Sequence, residues 1–305
     1  MAESMVTVQN LSKSYGDFSA VRSISFDLRR GEIFGLLGPN GAGKTTTLEC
    51  LEGIRRADAG SLSILGVDPG KDPLKLRNLI GVQLQTSGLP PEMTVDEALK
   101  LFSAYHGVAP RFDLLDRLGL KEKRKAQYRS LSVGLQRRLT LALAIAHHPP
   151  VLFLDEPTAG LDVGSRVELH TLMEELKEQG VSILLATHDM AEAEKLSDRV
   201  AILLGGKIVT TGIPREITAT GSGLTKVSVS TEQSILLHSP VALPGVQQQN
   251  QKEDYAIYFT TDPGATVSSL LETIKQKEDK LIDLRVERPS LEERFLEITQ
   301  NGEKA

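Results

Sequence analysis

An α/β fold built on a buried, largely parallel sheet, followed by a small α+β appendage, is what the sequence predicts. Short apolar runs alternate with helical patterns over residues 1–220. Several of these runs, such as Val151–Leu154 and Val200–Leu204, are continuously apolar, as parallel strands covered on both faces must be. After residue 218 the composition changes, and a second, shorter set of elements begins.

In chain order, strands are expected at Ile24–Leu28, Ile33–Leu37, Ser61–Leu65, Ile80–Leu84, Val151–Leu154, Val181–Ala186 and Val200–Leu204. Helical spacing marks Leu139–His147 and Ser165–Gln179. Thr94 and Glu97 form a capping-box pattern opening a helix that carries Ala98, Leu99 and Phe102 on one face. Lys121–Lys125 is a charge run expected to be a solvated face. Thr218–Gly223 is small and polar, a linker that divides the chain into 1–220 and 221–305. In the second part, Lys226–Ser230, Tyr255–Thr260 and Leu281–Val286 are expected strands, and Val267, Leu270, Leu271 and Ile274 mark a helix face. Gln247–Gln251 is expected to be a hairpin loop, and Ser290 with Glu293 to cap a last helix.

The chain has 305 residues, 40% hydrophobic and 25% charged, which excludes disordered and fibrous classes. Its 35 basic and 40 acidic side chains give a net charge of −5, against a nucleic-acid partner. The single Cys50 excludes a disulfide framework and a cysteine zinc site. No apolar run approaches the ~20 residues of a membrane span, and MAESMVTVQN lacks a signal-peptide profile. A soluble chain in a reducing compartment is expected, with any membrane role supplied by a partner.

Gly38-Pro39-Asn40-Gly41-Ala42-Gly43-Lys44-Thr45 matches the phosphate-binding pattern G-x-x-x-x-G-K-[ST], with a strand before it and a helix after it. Glycines let the backbone wrap close enough for its N–H groups to face phosphates. The positive end of the following helix adds to this. Lys44 is placed to reach the β and γ phosphates, and the Thr45 hydroxyl to bind Mg²⁺; Thr46 follows in the same helix turn. Val151–Leu154 then delivers Asp155 and Glu156. Asp155 suits Mg²⁺, directly or through water, and Glu156 can polarise an attacking water.

With these motifs in place, the chain resembles the nucleotide-binding subunit of an ATP-binding cassette (ABC) transporter over roughly residues 5–220. Leu131-Ser132-Val133-Gly134-Leu135-Gln136 resembles the signature motif of that P-loop NTPase family, Gln85 its Q-loop glutamine, and Ala159-Gly160-Leu161-Asp162 its D-loop. His188 resembles the switch histidine, and Tyr15 the aromatic that stacks on adenine. Gln83, two positions earlier, competes with Gln85. The motifs occur in the family's order.

The resemblance implies two copies packed head to tail around two ATP molecules. Each site takes its phosphate loop from one copy, and Ser132 and Gly134 from the other. It implies that His188 contacts the γ-phosphate, that Gln85 binds Mg²⁺ and reports occupancy, and that Asp162 helps join the copies; Asp162 also reads as a plain helix cap beside Ser165. The signature departs from the family's usual Leu-Ser-Gly-Gly-Gln at Val133 and Leu135. A β-branched Val133 tolerates a left-handed backbone poorly, so either that position is not left-handed or the loop is strained. His147 and His148 are adjacent and read as structural.

The ending Ser290-Leu-Glu-Glu-Arg-Phe-Leu-Glu-Ile-Thr299, preceded by Pro289, resembles type-2 ABC exporter ATPases, the group that includes daunorubicin-resistance ATPases. In that group the membrane channel is a separate polypeptide. The resemblance therefore implies an ATP-hydrolysing exporter subunit, cytoplasmic at the inner face of the membrane and joined to a permease. The contact segment is Thr86–His106, with Pro90-Pro91 followed by an amphipathic helix. An importer ATPase, a soluble non-transport cassette ATPase and a nucleotide-sensing module are the alternatives. One copy of each motif and no long coiled coil argue against the second, and intact Glu156 and His188 against the third.

Overall fold

The computed structural model of the chain describes residues 3–84, 88–219, 224–238, 241–288 and 290–302. They form two compact units, Met1–Ile213 and Pro214–Ala305.

The first unit contains strands β1 (Ser4–Tyr15), β2 (Phe18–Arg29), β3 (Ile33–Leu37), β4 (Ala59–Ile64), β5 (Ile80–Gln83), β6 (Val151–Asp155), β7 (Ser182–Thr187), β8 (Arg199–Leu204) and β9 (Lys207–Gly212). Its helices are α1 (Lys44–Leu51), α2 (Pro73–Leu76), α3 (Val95–Tyr105), α4 (Phe112–Arg117), α5 (Val133–Ile145), α6 (Val163–Glu178) and α7 (Met190–Leu196). The central sheet runs β5-β6-β7-β3-β8-β9. Its first five strands are parallel, and β9 closes one edge antiparallel. Every residue of β3, β6 and β7 is buried, which is why those runs carry no polar alternation.

Alternation reappears in which layer each residue serves. Phe34, Leu36, Phe153, Leu184 and Ala186 pack into a core shared with β1, β2 and α1. Ile33, Leu152, Leu154, Ile183 and Leu185 face the opposite core, against α3, α4, α5 and α6. Each such leucine, isoleucine or phenylalanine side chain contributes about 1.5–3 kcal/mol on burial. Two expected strands, around Ile24–Leu28 and Ser61–Leu65, belong instead to a separate antiparallel sheet, β2-β1-β4. Ile24, Phe26 and Leu28 are buried while Ser25 is exposed, the pattern of a sheet covered on one face.

The second unit consists of α8 (Pro214–Ala219), β10 (Thr225–Thr231), α9 (Ile235–His238), β11 (Val246–Lys252), β12 (Tyr255–Thr260), α10 (Pro263–Gln276), β13 (Leu281–Glu287) and α11 (Leu291–Gly302). Its sheet is antiparallel in the order β11-β12-β10-β13, a ferredoxin-like β-α-β-β-α-β arrangement. Val227, Val229, Tyr258, Leu270 and Ile274 form its core. The unit begins before residue 220 because α8 packs on α11. Thr218 and Ala219 of the expected linker are helical, and 220–223 lie outside the described residues.

Three further differences have physical causes. Gln247–Gln251 is strand, not loop: β11 is an edge strand paired only with β12, so its polar residues cost nothing in desolvation. Strand β1 is not among the expected strands, because register shifts break its alternation. The Lys121–Lys125 run is not merely solvated, since Arg124 Nε pairs at 2.7 Å with Asp96, a buried residue at the start of α3. The two capping boxes form as expected, at Thr94/Glu97 and at Ser290/Glu293; Pro289 lies outside the described residues.

Candidate active site

The C-terminal ends of parallel β3, β6 and β7 converge, where α/β sheets collect ligands. From β3 the chain enters the loop Gly38–Gly43 and then α1, whose first residue is Lys44. Gly43 has φ +104, and a Cβ there would stand 2.4 Å from the Ala20 carbonyl. Only glycine serves at that position. Lys44 is buried, and Nζ donates to the Gly38 carbonyl at 2.7 Å and the Pro39 carbonyl at 3.2 Å.

Strand β6 brings Asp155 beneath the loop. The Thr45 hydroxyl donates to Asp155 Oδ2 at 2.8 Å. Asp155 Oδ1 is buried without a hydrogen-bond partner. Burial pushes this carboxyl up, while the Thr45 hydrogen bond and the Lys44 charge pull it down. Nearby Glu52, at the end of α1, is pushed up to about 8 by burial, with Asp155 adding to the shift.

Glu156 follows, and its N–H still donates to the Ala186 carbonyl at 2.9 Å, continuing the β6–β7 ladder. Its backbone then turns left-handed, φ +48. Such a conformation costs a non-glycine residue about 1–3 kcal/mol. The turn aims the buried carboxylate at two partners. Oε1 lies 3.4 Å from Lys44 Nζ, and Oε2 lies 2.7 Å from His188 Nδ1. A carboxylate only accepts, so the imidazole donates through Nδ1 in this contact. His188 directly follows β7 and is half-exposed.

Tyr15 ends β1 and Phe18 begins β2, paired across the Gly16-Asp17 turn. With Ala20, Asn40, Gly41, Gly43, Lys44, Thr45, Thr46 and Glu156 they line a cleft of about 310 Å³. Phe18 is not among the residues expected at the site; in the sequence it is marked only by two aromatics flanking a two-residue Gly-Asp turn.

Ser132, Gly134 and Asp162 form a second group. Ser132 caps α5, its hydroxyl accepting from the Leu135 N–H at 3.3 Å. Val133 is the first residue of α5, with no positive φ, so the signature is not strained there. A Cβ on Gly134 would lie 3.1 Å from Ser165 Oγ, so this glycine lets α5 approach α6 closely. Asp162 caps α6, accepting from the Ser165 N–H at 2.9 Å and the Ser165 hydroxyl at 2.8 Å. Those hydrogen bonds hold its carboxyl below the usual range.

Gln85 lies outside the described residues. Its competitor Gln83 is buried and donates to the Arg137 carbonyl and Thr140 hydroxyl of α5 at 3.3 and 3.2 Å, a packing role. His147 stacks on His106 with ring centroids 3.7 Å apart, and Nε2 lies 3.0 Å from the Ile80 carbonyl. Burial pushes its imidazole down to about 4.

The family model described as "ABC transporter" matches residues 21–159. The linearmycin resistance ATP-binding protein LnrL of Bacillus subtilis is 32% identical, covering 97% of this chain and 98% of that protein. The chain belongs to the ABC transporter family, as an ATP-binding subunit. The daunorubicin resistance ATP-binding protein DrrA3 of Streptomyces coeruleorubidus is 32% identical, over 98% of this chain and 97% of that one. Nod factor export ATP-binding protein I of Ralstonia nicotianae is 36% identical, over 87% and 84% respectively. A solved ATP-binding subunit of an ABC transporter superposes with a TM-score of 0.66 at 30% identity, covering 70% of this chain and 91% of that one. This ABC subunit is an ATPase with the α/β cassette fold.

Proposed function

We propose that this ABC subunit powers export by hydrolysing ATP in a head-to-tail pair of cassettes beneath a separate membrane permease. The observation that carries the hydrolytic reading is Glu156, held by a left-handed backbone between Lys44 of the phosphate loop and His188. In this reading the loop N–H groups and Lys44 hold the phosphates, Tyr15 stacks on the base, and Glu156 takes the proton of the attacking water. His188 orients that water and the γ-phosphate.

Ser132 and Gly134, at the N-terminus of α5, serve the γ-phosphate of the second copy, and Asp162 supports the joint between copies. Gln85, with Thr45 and Asp155, would hold Mg²⁺. An orphaned buried Asp155 oxygen beside a threonine hydroxyl fits Mg²⁺, which takes few protein oxygens and completes its shell with phosphates and water. When bound, the ion neutralises charge on the β and γ phosphates.

Export is favoured by the relatives named for drug resistance and Nod factor export, and by the Ser290–Thr299 ending. Among the described residues no helix is long and apolar enough to cross a membrane, which supports attachment to the cytoplasmic membrane face through a permease. Leu101 and Tyr105 of α3 are exposed and offer that permease an apolar surface.

The test is to trap tagged Glu156→Gln with ATP in its host, solubilise the membranes and identify what co-purifies. An equimolar multi-span membrane protein is expected. Ribosomes, nucleic acid or a soluble enzyme in its place overturn the transport reading and leave the ATP site standing.

A further inference from the structure

We infer that Arg55, with Lys13 beside it, is a positioning residue for the nucleotide base and acts through Tyr15. The inference rests on the stacking role of Tyr15 proposed above. The Arg55 guanidinium carbon lies 5.5 Å from the centroid of the Tyr15 ring, and Lys13 Nζ lies 5.7 Å from it. Both distances fall within the range of cation–π attraction.

Neither cation is loose. Arg55 Nε donates to Glu49 Oε2 at 2.8 Å, and the Arg55 N–H donates to the Glu49 carbonyl at 3.0 Å. Lys13 Nζ donates to Asp58 Oδ1 at 2.7 Å, while Asp58 Oδ2 accepts the Ser14 N–H at 2.7 Å. Asp58 thus pins the two residues that precede Tyr15. Glu49 belongs to α1, the helix that carries Lys44 and Thr45. Gly53, left-handed at φ +75, turns the chain after α1 so that Arg55 returns alongside Glu49. A half-exposed tyrosine at a hairpin tip is thereby tied to the phosphate-binding helix by a run of charged contacts.

Arg55 does not line the nucleotide cleft. With Asp58 and Cys50 it lines a second cleft of about 290 Å³ that shares no lining residue with the first. Its effect on a nucleotide therefore passes through the Tyr15 ring.

The discriminating probe is a ligand with phosphates and no base. Binding of ATP and of inorganic tripolyphosphate is measured by calorimetry on the full chain carrying Glu156→Gln, alone and with Arg55→Met, Tyr15→Ala or both. Arg55→Met is expected to weaken ATP about two- to five-fold and to leave tripolyphosphate unchanged. On the Tyr15→Ala background it is expected to cost nothing further. No loss of ATP affinity, an equal loss for tripolyphosphate, or a loss that adds to that of Tyr15→Ala overturns the inference while the stacking role survives. If Tyr15→Ala alone leaves ATP affinity unchanged, the stacking role fails, and the inference fails with it.

Discussion

The two halves of the proposed ATP site are built differently within one chain. Around the phosphate loop, Lys44, Thr45, Asp155, Glu156 and His188 arrive from three strand ends and bind one another through contacts of 2.7–3.4 Å. Around the signature, Ser132 and Asp162 are engaged in capping α5 and α6. Ser132 and Val133 are exposed there. The first half is organised for chemistry inside its own chain. The second presents a helix N-terminus at the surface, where, in the proposed head-to-tail pair, its N–H groups would serve the nucleotide of the other copy. The contrast predicts that damage to the phosphate loop strikes nucleotide binding in each isolated chain, that loss of the Glu156 carboxylate strikes turnover and spares binding, and that damage to the signature group strikes turnover by the assembled pair while the isolated chain still binds ATP.

The largest expected effect is that of Lys44→Ala. It removes a charged donor worth about 1.5–3 kcal/mol toward the phosphates, so ATP affinity falls at least about tenfold in a calorimetric titration. An affinity within a few-fold of the parent breaks the phosphate-loop half of the comparison. Gly43→Ala is next. It meets the Ala20 carbonyl at 2.4 Å from a left-handed backbone, so unfolding free energy in urea drops by about 1–3 kcal/mol and ATP affinity drops with it.

Ser132→Ala sharpens the contrast. Loss of the α5 cap costs about 1 kcal/mol, ATP binding by the isolated chain stays at its parent value, and steady-state turnover falls. Binding that falls as turnover does moves Ser132 into the first half. Val133→Gly is the smallest. Val133 is an ordinary first helical residue, so the change costs at most about 0.5 kcal/mol in helix propensity and leaves the ATPase rate unaltered. A rate increase means that this backbone position needs glycine after all.

The legibility of the fold followed burial. β3, β6 and β7 are wholly buried, so hydrophobicity alone located them within a residue or two. Strands covered on one face or lying at an edge were harder: β1 has its alternation broken by bulges, and β9 and β11 are edges with little apolar content. The phosphate loop, Asp155 and Glu156 were legible because their chemistry needs particular residue types at particular spacing; His188 was picked out by the family resemblance alone. Phe18 and the Arg55–Tyr15–Lys13 contacts were not, because they depend on which side of a hairpin tip faces which helix. The left-handed turn at Glu156 leaves no trace in composition, since glutamate seldom adopts it.

The central claim is that Glu156 is the base of an ATP site already organised within the chain. It is tested most directly by comparing Glu156→Gln with the parent, measuring ATP binding by calorimetry and turnover by phosphate release. The account predicts that the variant binds ATP with parental affinity and turns it over about 10²–10⁴-fold more slowly. Turnover at the parental rate with ATP bound contradicts it.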